Sequence, residues 1–202
     1  GSVGGHYSEI RDLDSTESEF LDLLNEHRAN HGAPPVRADR FLNDGAYDYA
    51  GLMGRRNHFD HTGPDGSSPW DRMCAGGYEP ACGPSTAVGE NIAAGQRTAA
   101  AVFTAWRNSP GHNRNMLNPA FRVVGIGRHE VPGSRFGVYW VNVFGGQPTS
   151  ETVDPSAPPE PPMSEPEPPS SEPPASEPPA VEPPPMMEPS RYPSPAPAPV
   201  PI

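Results

Sequence analysis

The sequence lacks any long apolar run, and this absence excludes a membrane-spanning helix. No stretch of the 202 residues combines the length and the apolar character that a transmembrane helix needs. A secretory signal is also lacking, and the chain begins with Gly-Ser. We therefore expect a mature form from which a signal peptide has been removed.

Positive charge is scarce, and all of it comes from arginine. The chain has 14 arginines, no lysine and 25 acidic residues, which gives a net charge of −11. Nine of the acids but only one arginine follow Gln147, so that part carries −8 and the rest of the chain −3. No broad basic face remains, and nucleic acid is therefore excluded as a partner.

Cysteine is scarce as well, since Cys74 and Cys82 are the only two. The residues between them, AGGYEPA, form a loop with Gly and Pro that a disulfide would staple. An even count without CxxC spacing fits an oxidising compartment better than a zinc site. The pattern favours a disulfide over two free thiols, and either of these over zinc coordination.

Proline is sparse in the first part of the chain and dense in the last. Of the 31 prolines, 22 lie at or after Pro148, a composition typical of disordered segments. The repeats SEPPA, SEPPA and VEPPP at 171–185 favour polyproline II and a solvated spacer. We expect a flexible leader over 1–14, one folded domain over 15–147 and a disordered, acidic, Pro-rich tail over 148–202.

The spacing of apolar residues predicts two helices near the N-terminus. Thr16 and Glu19 fit a capping box, and apolar residues then recur at helical spacing as far as a closing Gly32. A second apolar stripe predicts a helix from about Asp39 to Arg55.

The segment AWRNSPGHNRNML predicts two further helices with a break between them. A helix over 98–108 ends before Pro110, because the residue preceding a proline avoids the α conformation. Ser109 suits the N-cap of a second, short helix, with Pro110 at its first position. His112 then lies in the first turn, where the helix dipole favours neutral imidazole, a possible ligand or base. The alternative is a polar residue at a helix corner.

The last part of the domain has the character of a β-hairpin. Residues 121–127 and 136–144 are rich in β-formers, and Val-Pro-Gly-Ser at 131–134 predicts the turn. Both faces of the second strand are apolar, so helices should cover both sides of a small antiparallel sheet. The fold class expected is α+β.

Two histidines and one acid in the middle of the chain are candidates for a site. His58 and His61 precede the turn Pro64-Asp65-Gly66 on a loop or helix end, where function often resides. One of the two should be exposed and without a role. Glu90, taken alone, would be a surface carboxylate.

Five motifs in order carry a family resemblance: NEHRANHG, HFDH followed by PDGSSPWDRM, GENIAAG, AWRNSPGHNRNML and YWVNVFGG. Together they resemble the CAP superfamily of cysteine-rich secretory proteins, antigen 5 and pathogenesis-related 1 proteins, and especially its bacterial SCP-like extracellular members. The resemblance covers roughly residues 15–147. It implies an α-β-α sandwich with an open cleft, and a protein that is secreted or displayed at the cell surface.

The resemblance also implies a metal site in the cleft. His61 matches the family histidine before the PDG turn, Glu90 the acid of GENIA, and His112 the histidine of SPGH. In several members such residues bind a divalent metal, often zinc. His58 matches no family site residue and is assigned no role.

The chain departs from the family at one position. Many members carry a second acid on the helix before the last histidine, but here no Asp or Glu occurs from Asn91 to His129. Asn108 or Ser109 occupies that neighbourhood, which weakens any mechanism that needs paired carboxylates. Two imidazoles and one carboxylate still suffice for zinc with open positions.

Three functions follow as hypotheses. The favoured one is an extracellular binding module whose cleft holds a divalent metal and a small ligand, a lipid or a glycan, with a possible cell-envelope partner for the Pro-rich tail. The second is a metal-dependent hydrolase in which Glu90 acts as the base on zinc-bound water. A Ser109-His112-Glu hydrolase is the weakest, because Ser109 is expected to cap the helix.

Arginine near the cleft suggests an anionic ligand. Five arginines and no acid lie between Asn91 and His129, and Arg107 and Arg114 flank the SPGH turn. Arginine offers a planar fork that matches phosphate or carboxylate. The alternative is that these are scattered surface residues.

Overall fold

The computed structural model describes residues 11–84 and 86–153. Most of the expected leader and tail therefore lies outside the described residues. The helices and strands, in chain order, are α1 Ser15–Asn30, β1 Arg37–Ala38, α2 Arg40–Arg56, α3 Pro69–Ala75, a 3-10 turn Glu79–Cys82, β2 Val88–Ala94, α4 Ala99–Arg107, α5 Pro110–Leu117, β3 Val123–Glu130 and β4 Val138–Gly145.

The four strands form one sheet in the order β1-β3-β4-β2. β4 pairs antiparallel with β3 and with β2, so Asn142 lies opposite both Ile126 and Asn91. The two-residue β1 adds a parallel pair to β3, which the sequence did not predict. The expected α+β class and the helix-covered sheet are confirmed, with this short parallel edge as an addition.

Two apolar cores lie on opposite faces of the sheet, as the alternation along β4 predicts. Trp140 and Phe144 pack on one face under α1, α4 and α5. Tyr139 and Val143 pack on the other face under α2 and α3. The domain is therefore a three-layer α-β-α sandwich.

Two glycines in β3 allow α2 to lie very close to the sheet. A Cβ atom at Gly125 would lie 2.2 Å from the Leu42 carbonyl group, and one at Gly127 would lie 2.2 Å from the Ala46 backbone. Any larger residue at either position would push the helix away. This close approach fixes α2, and with it the loop that carries His61.

The capping box of α1 lies two residues earlier than the sequence predicts. Asp14, not Thr16, is the N-cap: its side chain accepts from the Glu17 N–H, and Glu17 accepts from the Asp14 N–H. Glu17 is fully buried and also accepts two hydrogen bonds from the Arg11 guanidinium. These contacts outside the helix select Asp14 over Thr16.

The folded unit is wider at both ends than the predicted 15–147. Arg11 bonds to Glu17, as described, and its backbone N–H donates to Asp44. At the other end, Thr149 and Thr152 donate their hydroxyls to Asp39, the fully buried N-cap of α2. The segment 148–153 was expected to belong to the tail, and instead it satisfies a buried carboxylate.

The predicted disulfide between Cys74 and Cys82 is confirmed. It joins the end of α3 to the 3-10 turn and closes the loop between them. None of the helices in the described ranges has both the length and the apolar character required to cross a bilayer.

Candidate functional site

The candidate site lies around the edge strand β2, and Glu90 is at its centre. The Glu90 side chain is almost fully buried, with 2% of its surface exposed. Its Oε1 accepts from Nδ1 of His61 at 2.8 Å, and its Oε2 accepts from the Arg72 guanidinium at 2.7 Å. One carboxylate thus holds two cationic or protonatable groups, and both of its oxygens are occupied.

Arg72, which sequence reasoning missed, fixes the loop that carries His61. It lies on α3, whose N-terminus is set by a capping box between Ser68 and Asp71. The guanidinium donates to the carbonyls of His61 and Ser67 at 3.0 and 2.9 Å, besides its bond to Glu90. Arg72 is part of the PDGSSPWDRM motif quoted above. No sequence pattern, however, pairs this arginine with an acid 18 residues away.

Arg72 is also held from below by an aromatic ring. Its guanidinium carbon lies 3.5 Å from the centre of the Tyr49 ring on α2, a cation–π contact. Burial raises the pKa of Tyr49 to about 12, against a smaller opposing effect of the Arg72 charge. The phenol therefore stays neutral, and its hydroxyl donates to the carbonyl of Asp60.

His112 lies in the first turn of α5, as predicted, but Ser109 does not cap that helix. Ser109 occupies the N-cap position without a side-chain capping bond, and its Oγ lies 2.9 Å from Nδ1 of His112. The expected capping role was wrong: the hydroxyl orients the imidazole instead. Burial lowers the pKa of His112, and the nearby charge of His61 lowers it further.

Asparagine side chains connect α5 to β2. Asn115 donates to the Glu90 carbonyl and to the Asn91 side chain, and Asn91 donates to the carbonyl of His112. Asn91 is fully buried, so these bonds form away from water, where they are strongest. They hold the His112 backbone against the strand that carries Glu90.

The imidazoles of His61 and His112 have the same pattern of hydrogen bonding: within the described part of the chain, Nδ1 is bonded and Nε2 is not. Each Nδ1 is taken, by Glu90 in one case and by Ser109 in the other. Neither Nε2 has a hydrogen-bond partner among the described residues. The Glu90 hydrogen bond raises the pKa of His61 against the effect of its partial burial. His61 therefore stays protonated to higher pH than His112 does.

The other predicted ligand-binding residues are not part of this cluster. Arg107 lines a separate groove between α1 and α4, with His27 and Phe103. Arg114 and Asn108 are exposed. Of the residues assigned to ligand binding beside the cleft, only Ser109 contacts a member of it.

A groove of about 290 Å³ continues from His112 along the end of β2. The lining residues are Phe59, Ile92, Ala93, Ala94, Gln96, Ala105, Trp106, Ser109, His112 and Phe136. Phe59, in the loop between α2 and α3, and Phe136, in the loop between β3 and β4, contact each other with ring centres 5.8 Å apart. The cleft thus has a polar part around Glu90 and an apolar extension.

Comparison with known proteins gives a consistent family match. The model of the cysteine-rich secretory protein family, CAP, matches residues 21–144. YkwD of Bacillus subtilis (strain 168) is 37% identical over 131 residues, which cover 65% of this chain and 47% of that protein. The membrane protein YlbC of the same organism is 29% identical over 113 residues, which cover 56% and 31%. The chain thus spans less than half the length of these relatives.

Solved structures show the same fold. An extracellular SCP-domain protein from Bacillus anthracis aligns with a TM-score of 0.54 and 29% identity, covering 64% of this chain and 39% of that one. An outer surface protein of Borrelia burgdorferi aligns with a TM-score of 0.56 and 22% identity, covering 68% of this chain and 98% of that one. Its identity is low, so this second match concerns the fold alone.

Proposed function

The chain belongs to the CAP family of cysteine-rich secretory proteins, and from this we propose that it is an extracellular binding module whose cleft takes a divalent metal ion and a small ligand without turnover. The observation that carries the proposal is the state of the two histidines. Each uses Nδ1 to bond an oxygen, and each leaves Nε2 without a partner in the described structure.

This arrangement fits a metal with two protein ligands. Metal-binding histidines usually donate the second ring N–H to a carboxylate or another oxygen, which fixes the tautomer that leaves the other nitrogen free. Glu90 has this outer role toward His61, and Ser109 has it toward His112 when Nδ1 is the donor. When bound, the ion would act as a Lewis acid toward an oxygen atom of the ligand.

The same residues do not fit a closed zinc site. Within residues 11–84 and 86–153, no group of three His, Cys, Asp or Glu side chains is placed to hold a metal ion. Glu90, expected as the third ligand, has both oxygens bonded to His61 and Arg72. We therefore assign Glu90 an orienting role, and the remaining coordination positions fall to water or to the ligand.

The occupied state of Glu90 also argues against the alternative, a metal-dependent hydrolase. A general base must accept a proton from the attacking water, and here each carboxylate oxygen already accepts a hydrogen bond. No other acid is hydrogen-bonded to either histidine among the described residues. The Ser109–His112 pair likewise lacks an acid to orient its base.

The apolar extension of the cleft supports the class of ligand, and the relatives support the extracellular location. The groove beside His112 is lined mainly by apolar side chains, which suits a lipid or the apolar face of a glycan. An extracellular location is inferred from the Bacillus anthracis relative, described as extracellular. We further propose a cell-envelope partner for the Pro-rich tail, most of which, from residue 154 onward, lies outside the described residues.

Zinc titration calorimetry at pH 7.5 tests the metal site. His61→Ala and His112→Ala should each weaken binding by about tenfold or more, because each removes one of two ligands. His58→Ala is the matched control: it removes a half-buried imidazole from the same loop, bonded to the Thr62 carbonyl, and should change little. Unchanged zinc affinity in the His61, His112 double variant would remove the site.

A peptide-library hydrolysis assay on wild type and Glu90→Gln separates binding from turnover. The proposed binding module shows no zinc-dependent cleavage in either protein. Cleavage by wild type that Glu90→Gln abolishes, with zinc still bound, would establish the hydrolase instead.

A further inference from the structure

The outer edge of β2 presents backbone groups that no described residue pairs. β2 is at the end of the sheet order, so only one of its sides contacts a strand. The carbonyls of Glu90 and Ile92 accept from the side chains of Asn115 and Trp106, and therefore point away from β4. In an antiparallel ladder the N–H and C=O of one residue point to the same side, alternating along the strand.

Beside the groove, along Ile92–Ala94, this alternation places three unpaired groups on the open edge. They are the N–H of Ile92 and both the N–H and the C=O of Ala94. The next residue, Gly95, donates to Val138 on β4, as the alternation requires. No hydrogen bond from another described residue reaches the three open groups. The edge thus retains the template for one more strand.

This open edge is the floor of the groove next to His112. One wall is formed by the end of α4 and the start of α5, with Trp106 and His112. The other is the Phe59–Phe136 pair, whose side chains are 44% and 38% exposed. No acidic side chain lines the groove.

We propose that this groove binds an extended peptide, which adds to the edge of β2 as a short strand. The inference rests on the proposed binding role of the cleft, because His112 lines both. The open N–H and C=O groups can form hydrogen bonds with a ligand that carries amide groups. A peptide backbone pairs them, and its alternate side chains face the aromatic wall and the His112 wall.

The aromatic wall further restricts the peptide. The exposed rings of Phe59 and Phe136 favour contact with an apolar side chain. The class of ligand is therefore an extended peptide with an apolar residue for the Phe59–Phe136 wall.

The test begins with selection of a phage-displayed random heptapeptide library on the full chain. Selected peptides are synthesised with a fluorescent label, and affinities are measured by anisotropy. Ala94→Pro removes one open-edge N–H and leaves the bonds to β4, and proline is tolerated at such a position. It should weaken binding by about tenfold. Phe136→Ala should also weaken binding, whereas Trp70→Ala, an equally exposed aromatic residue outside the groove, is the control and should not.

An N-methyl scan of the selected peptide gives the signature of strand addition. Methylation should abolish binding at alternate residues only, since only every second N–H points to β2. The proposal is overturned if no peptide is selected, if the scan shows no period of two, or if Ala94→Pro is neutral while its thermal melt is unchanged. Binding of a dansyl-labelled undecanoic acid probe that Phe136→Ala weakens, in a protein that binds no peptide, would assign the groove to acyl chains.

The same variants distinguish this inference from the proposed metal site. Ala94→Pro and Phe136→Ala leave the two imidazoles in place, and zinc affinity should stay within about twofold of wild type. Zinc binding without peptide binding overturns the peptide inference alone. Peptide binding that survives the loss of zinc binding supports it and removes only the metal.

Discussion

At the residue scale, the chemistry of the cleft depends on how one carboxylate is shared. Glu90 lies between the imidazole of His61 and the guanidinium of Arg72, with an exposed fraction near zero. A buried carboxylate between two such groups is stable only while both bonds remain. It therefore sets the protonation of His61 and keeps the His61 loop in place.

The pKa of His61 provides a direct measure of this sharing. The hydrogen bond and charge of Glu90 raise it, while partial burial and the Arg72 charge lower it. Glu90→Gln removes both effects of Glu90 and leaves the raising charge of Asp60, which is smaller than the lowering effect of burial, so the pKa of His61 should fall below the ordinary value of about 6.5. Proton NMR titration of the imidazole resonances measures this. Glu130→Gln, which removes an exposed acid from the far end of β3, is the matched control.

The sign of the pH dependence follows from the same shift. A folded-state pKa above the unfolded value means that the folded state holds the proton more tightly. The stabilisation by the His61–Glu90 pair is therefore complete below about pH 6.5 and is lost as the pH rises through the higher folded value. At the proposed metal site zinc would compete with that proton. As the pH is lowered, the zinc affinity should therefore begin to decline at a pH above the value of about 6 expected for an ordinary histidine. An unshifted His61 in wild type would contradict the pairing.

The candidate site could be predicted from the sequence only in part. His61, Glu90 and His112 came from matching family motifs, and the structure joins His61 directly to Glu90. Arg72 was missed because its partner is distant in sequence and no local rule pairs them. Ser109 was misread because a serine before a proline ordinarily caps, and only the imidazole beside it shows the competing bond.

At the element scale, α5 is fixed at its far end by an arginine with no acidic partner among the described residues. Arg28 on α1 is fully buried, and its guanidinium donates to four carbonyls, those of Pro34, Met116, Asn118 and Phe121. Burial lowers the pKa of Arg28, and the charge of Arg122 acts in the same direction. Arg28 thus joins the end of α5 to α1, while Asn91 and Asn115 hold its beginning.

Replacing Arg28 should therefore be costly. Arg28→Met keeps much of the volume but leaves several buried carbonyls without a donor, and should destabilise the fold by about 2–4 kcal/mol. Urea unfolding followed by tryptophan fluorescence measures this loss. Arg122→Met is the control, since Arg122 is exposed and a surface change of this kind usually alters stability by less than about 0.5 kcal/mol. Equal losses in the two variants would show that the carbonyl contacts contribute little.

Helices and strands were more predictable than their ends. The apolar stripe of α2 predicted 39–55, close to the observed Arg40–Arg56, because the stripe faces a core throughout. The α1 cap moved from Thr16 to Asp14 because Arg11, from the supposed leader, pairs with Glu17. β1 was missed because two residues paired to a strand 86 positions away leave no periodic signal.

At the scale of the whole molecule, the question is where the folded unit ends. Composition placed the boundary at Gln147, because proline becomes dense from Pro148 onward. Composition cannot register that two threonines within the Pro-rich part donate to a buried aspartate more than 100 residues earlier. A backbone contact also joins this segment to the domain, since the Val153 N–H donates to the Ala38 carbonyl on β1.

Truncation at two points tests this boundary. A chain ending at Val153 should unfold at the same urea concentration as the full chain, because the contacts of Asp39 remain and the rest of the tail has a composition unable to repay ordering entropy. A chain ending at Gln147 should lose about 1–3 kcal/mol, since Asp39, the buried cap of α2, then lacks both hydroxyl donors. The Thr149→Val, Thr152→Val double variant of the full chain keeps the backbone and removes only the hydroxyls, so it should show part of that loss. If the chain ending at Gln147 is as stable as the one ending at Val153, residues 148–153 do not belong to the folded unit. If the chain ending at Val153 is less stable than the full chain, the remaining tail packs on the domain.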